Sequence, residues 1–150
     1  MFQNDYEINC KTIAIIPINK MQSKIIEEER ELIVNQATFD IIKFSCIYFG
    51  CSYEGRYEGT KNLIGVTHKA PIVVEDSREL IFFPTKSPRH NSCSWINYKK
   101  LTSYFSRNKK TFITMNNGYN LELNVSYGII DNQILRSSYL ESILRQRKSL

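Results

Sequence analysis

Residues 110–125 read KTFITMNNGYNLELNV. Two runs rich in β-branched, aromatic and aliphatic residues flank Asn117-Gly118, a pair that suits a two-residue type I′ turn. In that register Asn116 pairs with Tyr119, Thr114 with Leu121 and Phe112 with Leu123, which leaves Asn120, Glu122 and Asn124 on the opposite face. One face is apolar and the other polar, so an antiparallel hairpin resting on a core is the unit from which the rest of the chain is read.

Working outward, APIVVEDSRELIFFPT (70–85) predicts a second hairpin, with Pro71 at its edge, a turn at Glu75 to Arg78 and Pro84 closing its second strand. KSPRHNSC (86–93) is a basic, turn-rich loop, and SWINY (94–98) is strand-like. Nearer the N-terminus, YEINCKTIAIIPI (6–18) predicts strands over Tyr6 to Asn9 and Thr12 to Ile16, joined at Cys10-Lys11. SKIIEEERELIVN (23–35) predicts a further pair turning at Glu28 to Arg30, although its Glu-rich centre also fits a helix. TFDIIKFSCIYFG (38–50) predicts a helix: Phe39, Ile42, Cys46 and Phe49 are spaced by three, four and three, Thr38 is placed to cap the first turn, and Gly50 is suited to the left-handed terminating position. DNQILRSSYLESILRQRKSL (131–150) predicts a C-terminal helix with Arg145, Arg147 and Lys148 in its last turns. Its apolar residues form no single stripe, so a break near Ser137-Ser138 or burial on two sides is expected. The expectation is an α+β fold: one β-rich domain over residues 1–150, made of antiparallel hairpins with a central short helix and a C-terminal helix.

Composition agrees with one globular domain, at 150 residues, 42% apolar and 12% aromatic. The longest apolar runs, Ile13 to Ile18 and Leu80 to Phe83, are far short of the roughly 20 residues that span a bilayer. The opening MFQNDYEINCK is polar and carries acids, unlike a secretory signal. The expected location is the cytoplasm, where Cys10, Cys46, Cys51 and Cys93 are reduced thiols. Cys46 and Cys51 are close in sequence, but no second pair follows, and with His68 and His90 the only histidines a structural zinc is not expected. Cys46 reads as a small core residue.

The net charge is +5, unevenly spread. Residues 1–40 hold four Lys/Arg against seven Asp/Glu, and residues 41–150 sixteen against eight. No acid lies between Glu79 and Glu122, a stretch in which lysines and arginines alternate with Phe82, Phe83, Trp95, Tyr98, Tyr104, Phe105, Phe112 and Tyr119. An acid-free segment laced with aromatics favours a polyanionic partner over a merely solvated face.

CSYEGRYEGTK (51–61) is too glycine-rich for a comfortable helix interior and too polar for a core strand, so it reads as a loop. Its spacing matches neither a P-loop nor a dinucleotide fingerprint, which leaves a connector or a nucleic-acid contact. Enzyme chemistry finds no support. His90, Asn91 and Cys93 lack the surroundings of a thiol hydrolase, and Glu75-Asp76 sit where a turn ordinarily carries acids. Trp95 reads as core rather than as a base-stacking platform, and no cofactor is expected.

SCIYFGCSYEGRYEGT, THKAPIVV, FFPT, CSWI, NGYNLELNVSY and NQILR follow one another over residues 6–140, and in that order they resemble the ComK family, the competence transcription factors of Gram-positive bacteria. Cys51 stands where the family has a serine-like residue. The resemblance implies a non-enzymatic activator that binds double-stranded DNA at paired A-tract and T-tract boxes, largely through the minor groove. It also implies a homodimer or dimer of dimers, RNA polymerase as partner, removal by an adaptor and Clp protease, and no membrane. Charge and motif position nominate Arg56, Lys61, His68, Lys69, Lys86, Arg89, Lys99, Lys100 and Arg136 for DNA, with Arg56 and Arg89 suited to a narrow A-tract groove of enhanced negative potential. The alternative is a basic β-rich protein that binds single-stranded nucleic acid or RNA on Trp95, Tyr98, Tyr104 and Phe112.

Overall fold

A computed structural model describes residues 2–150. The elements in chain order are β1 (Phe2–Gln3), β2 (Thr12–Asn19), β3 (Gln22–Glu27), β4 (Glu31–Val34), α1 (Thr38–Tyr48), α2 (Tyr53–Ile64), β5 (Ile72–Glu75) and β6 (Leu80–Pro84). They continue with β7 (Trp95–Asn97), a 3₁₀ turn (Tyr98–Lys100), β8 (Leu101–Arg107), β9 (Lys110–Met115), β10 (Asn120–Leu123) and α3 (Tyr127–Lys148). The fold is α+β, as the sequence predicts.

Seven strands form one sheet in the order β1-β4-β3-β2-β7-β6-β5, antiparallel except for the β1–β4 pair, and three form a second in the order β10-β9-β8. The large sheet is buried on both faces, which explains why its strands read as continuous apolar runs. Side chains alternate between layers: Ile72, Val74, Phe82 and Trp95 point toward α1 and α2 in one core. Ile13, Phe83 and Ile96 meet Ile113, Met115 and Leu123 of the small sheet and Ile130 of α3 in the other. Val73 and Ile81 pack on Leu140. Neither alternative named for the C-terminal helix is what forms: α3 runs unbroken through Ser137-Ser138 from a Ser126 cap and buries one stripe, Ile130, Gln133, Ser137 and Leu140, whose two polar members hide it from an apolar pattern.

Four local expectations are corrected. Tyr6 to Asn9 is not a strand. The segment is buried through Tyr6 and Ile8, and its polar groups bond to side chains, with the Ile8 N–H on Ser45 Oγ at 3.0 Å and the Tyr6 hydroxyl on Glu27. The cap of α1 is Ala37 without a side-chain bond; Thr38 Oγ1 instead donates to the Cys93 carbonyl at 2.8 Å and ties α1 to the 85–94 loop.

The opening hairpin forms one residue out of the expected register, pairing Ile113 with Leu121 and Phe112 with Glu122. Met115 N–H bonds the Tyr119 carbonyl at 2.8 Å, and of the turn residues only Gly118 (φ 87) has positive φ. This is a three-residue loop ending in a left-handed glycine, not a type I′ turn. The slip puts Ile113 and Met115 in the core and sends Phe112 to the outer face. The tight two-residue turn is Asn108-Lys109, between β8 and β9, where both residues have positive φ (51 and 64) and Arg107 pairs with Lys110.

The fourth correction is the largest: 51–61 is no loop, because Tyr53–Ile64 is α2. Ser52 caps it by accepting the Gly55 N–H at 3.0 Å, and Gly65 (φ 73) ends it. Tyr53, Tyr57 and Thr60 turn inward at helical spacing: both tyrosines pack on the α1 core, and the Thr60 hydroxyl donates to the Pro71 carbonyl. Tertiary contact outweighs the roughly 1 kcal/mol propensity cost of each interior glycine.

Candidate nucleic-acid interface

Strand direction sorts the loops between two ends of the large sheet. β3, β5 and α1 finish at one end, where the turns 28–30 and 76–79 lie. β2, β4 and β6 finish at the other, where 20–21, the 65–71 connection, the 85–94 loop and the start of α1 meet.

The first end carries acids with cations answering them. Glu79 accepts from Arg145 (2.6 Å) and Lys99 (2.6 Å), Glu28 from Lys100 (2.5 Å), and Asp76 from Lys148 (3.1 Å). The Arg145 guanidinium and then the Lys99 ammonium hold the Glu79 carboxyl down to about 2. Lys99 and Lys100, nominated for DNA, are therefore spent on internal ion pairs.

The second end gathers cations of the opposite kind. Gln133, buried on α3, donates one amide nitrogen to the Lys69 carbonyl (2.8 Å) and the Pro84 carbonyl (2.7 Å), stitching the 65–71 connection to the end of β6. Arg136, one turn on, donates to the His68 carbonyl (2.9 Å) and Gln133 Oε1 (3.1 Å). Lys69 and Arg136 line one shallow groove with Ser126 and Asn132. Across the sheet end, Lys20, Lys43, Arg89 and His90 line another, floored by Phe39 and Ala37. Arg89 is exposed and rests over the Phe39 ring, 5.6 Å from its centre, while Phe39 stacks on buried Trp95 at 6.5 Å. Lys43 has Asp40 at 3.4 Å. Among the described residues Lys20, Lys69, Lys86, Arg89 and Arg136 have no carboxylate partner. The uncapped N-terminus of α1 adds its positive dipole end here.

Of the nine nominated residues, the structure brings His68, Lys69, Lys86, Arg89 and Arg136 to one end. Lys99 and Lys100 sit at the other. Lys61 is exposed on α2. Arg56 is half-buried on α2 and its Nε donates to Cys51 Sγ at 3.3 Å, not to Glu54 or Glu58. Lys20 and Lys43 were not picked out from sequence; a lysine at a hairpin tip beside Asn19 was the available signal for the first. Trp95 is fully buried, Tyr104 donates to Asp131 at 2.6 Å and shares a groove with Tyr98, and Phe112 stacks on Phe105, so the four aromatics proposed as base platforms do not form one surface. Among the described residues no group of three or more His, Cys, Asp or Glu side chains converges as a metal site, and no helix is long and apolar enough to cross a membrane.

The class of molecule these features define is a three-layer α+β domain with ion pairs on Glu28, Asp76 and Glu79 at one end of the sheet and five cations without a carboxylate partner at the other. The chain belongs to the ComK protein family, whose pattern it matches over residues 3–149. It is similar to the competence transcription factor of Bacillus subtilis (strain 168), with 36% identity over 146 residues that cover 95% of this chain and 76% of that protein. No solved structure matches it.

Proposed function

We propose that the protein is a sequence-specific, DNA-binding transcriptional activator of competence genes, a binder and not an enzyme, that reads A-tract/T-tract boxes through the minor groove. The observation that carries this reading is the sorting of cations: Lys99, Lys100, Arg145 and Lys148 are paired with the acids at one end, and Lys20, Lys69, Lys86, Arg89 and Arg136 at the other have no carboxylate partner. Phosphates supply the charge that this end lacks. Arg89 projects from an aromatic seat without a carboxylate to hold it, a state suited to entering a narrow, electronegative groove. On the same reading the protein works in the cytoplasm as a dimer or pair of dimers on two boxes, with RNA polymerase at the promoter, and is removed by an adaptor and Clp protease.

Titration against duplexes with phased A-tract/T-tract boxes, mixed-sequence duplexes and single strands, each at two salt concentrations, tests the proposal. Boxed duplex is expected to bind tightest, with affinity falling steeply as salt rises. Equal affinity for mixed duplex would reduce the protein to a general polyanion binder, and preference for single strands would favour the stacking alternative.

A further inference from the structure

The end of α1 places two cysteines side chain to side chain. Gly50 takes the left-handed conformation (φ 83), its N–H donates to the Ile47 carbonyl (2.9 Å), and the Cys51 N–H donates to the Cys46 carbonyl (3.0 Å). This is a Schellman motif, in which the residue after the left-handed position packs on the residue five before it. Here those two residues are Cys51 and Cys46. The Cys51 thiol donates to the same Cys46 carbonyl at 3.0 Å.

We propose that Cys51 and Cys46 form a thiol modification site that takes a low-molecular-weight disulfide. Cys51 is the attacking group. It is half-buried, so its sulfur is within reach of a small molecule from solvent; that sulfur accepts the Arg56 Nε–H at 3.3 Å, and the residue immediately precedes the Ser52 cap of α2. Cys46 is fully buried, and burial, followed by the charge of Cys51, pushes its thiol up to about 12. It therefore does not react first and serves as the resolving group.

The Cys51 thiolate attacks one sulfur of the small disulfide, forming a mixed S–S bond and expelling one small thiolate. Cys46 then gives its proton to solvent and attacks the Cys51 sulfur, forming the Cys46–Cys51 bond and expelling the second small thiolate. The two protein thiols lose one electron pair and the small disulfide gains it. The Schellman hydrogen bond already holds the two backbones together at the end of α1, the proximity that a Cys46–Cys51 bond needs. Closure removes the sulfur lone-pair charge that Arg56 faces. Cys10, half-buried beside Arg78, is the internal comparison.

The test is independent of DNA binding: the full chain is incubated with oxidised glutathione, alkylated and mapped by peptide mass. Wild type is expected to give a Cys46–Cys51 disulfide and no lasting adduct. Cys46→Ala should accumulate one glutathione on Cys51, Cys51→Ser should leave Cys46 reduced, and adding Arg56→Ala to Cys46→Ala should slow adduct formation about fivefold. In unoxidised wild type, Cys51 should alkylate about tenfold faster than Cys46, a measurement that stands even if the Cys46 variants fail to fold. A disulfide through Cys10 or Cys93, an adduct on Cys10 as fast as on Cys51, equal alkylation of Cys46 and Cys51, or a rate indifferent to Arg56 overturns the assignment.

Discussion

Glu79 and Arg89 illustrate two fates of a charge in this protein. Glu79 is satisfied by two cations, and its carboxyl titrates near 2 in the fold against 4.5 in the free side chain. Because the folded value is depressed, the unfolded chain takes up the proton first. The stabilisation is present in full above about 4.5 and is lost as pH falls toward 2. Denaturant midpoints of wild type and Glu79→Gln are thus expected to differ at pH 6, with the gap narrowing below about pH 4.5 and closing only near pH 2; a gap independent of pH would mean that the ion pairs do not stabilise the fold. Arg89 has an aromatic ring and no carboxylate. Arg89→Ala is expected to weaken binding to boxed duplex about tenfold, more than to mixed duplex, and to lower the salt slope by about one. Arg56→Ala, whose guanidinium is turned to Cys51, should cost less than Arg89→Ala, and Lys99→Ala should leave the affinity near wild type while lowering stability by under about 1 kcal/mol. Parallel band-shift and melting series on the three variants check the order.

At the scale of the element, hairpins and helices with a single strong period were legible and exceptions to local propensity were not. β5–β6 and its turn follow from Pro71, Pro84 and the apolar runs between them, and α1 follows from Phe39 to Phe49. α2 was hidden because its two glycines argue against helix. What favours it, a Ser52 cap and three inward side chains, becomes visible only once α1 is there to pack on. Ser52→Ala is expected to cost about 1 kcal/mol in urea denaturation. The Asn117-Gly118 signal identified the right hairpin with the wrong turn, and a register error of one residue reversed the faces of Phe112 and Ile113. The true type I′ turn, Asn108-Lys109, carries no glycine and so gave no signal. Lys109 adopts φ 64 there, and Lys109→Gly should raise stability by up to about 1 kcal/mol by removing the left-handed penalty; a loss would place the lysine stem in useful packing. The cation-rich end was legible in part: His68, Lys69, Lys86, Arg89 and Arg136 stand out as charges, but which cations are already paired is decided by strand direction, which brings Lys99 and Lys100 against Glu79 and Glu28.

For the molecule as a whole, segregated charge separates stability from binding. The ion pairs centred on Glu79 and Glu28 are in direct contact and their carboxylates partly buried, so salt screens them little; raising salt should barely move the melting temperature while it sharply weakens DNA binding, and a melting curve and a binding curve in the same buffers read both. The central strand pairing has a different consequence. β2 joins β7 through Ala14–Ile96 and Ile15–Trp95, and the Asn97 side chain donates to the Thr12 carbonyl 85 residues away. During synthesis the β2–β3–β4 meander leaves the ribosome several seconds before β7 exists, at about 5–20 residues per second. Through that interval the apolar edge of Ile13 to Ile16 is an open template for strands of other nascent chains. Yield in the cell should therefore depend on the speed of translation between Gln22 and Asn97 and on chaperones that shield an open strand.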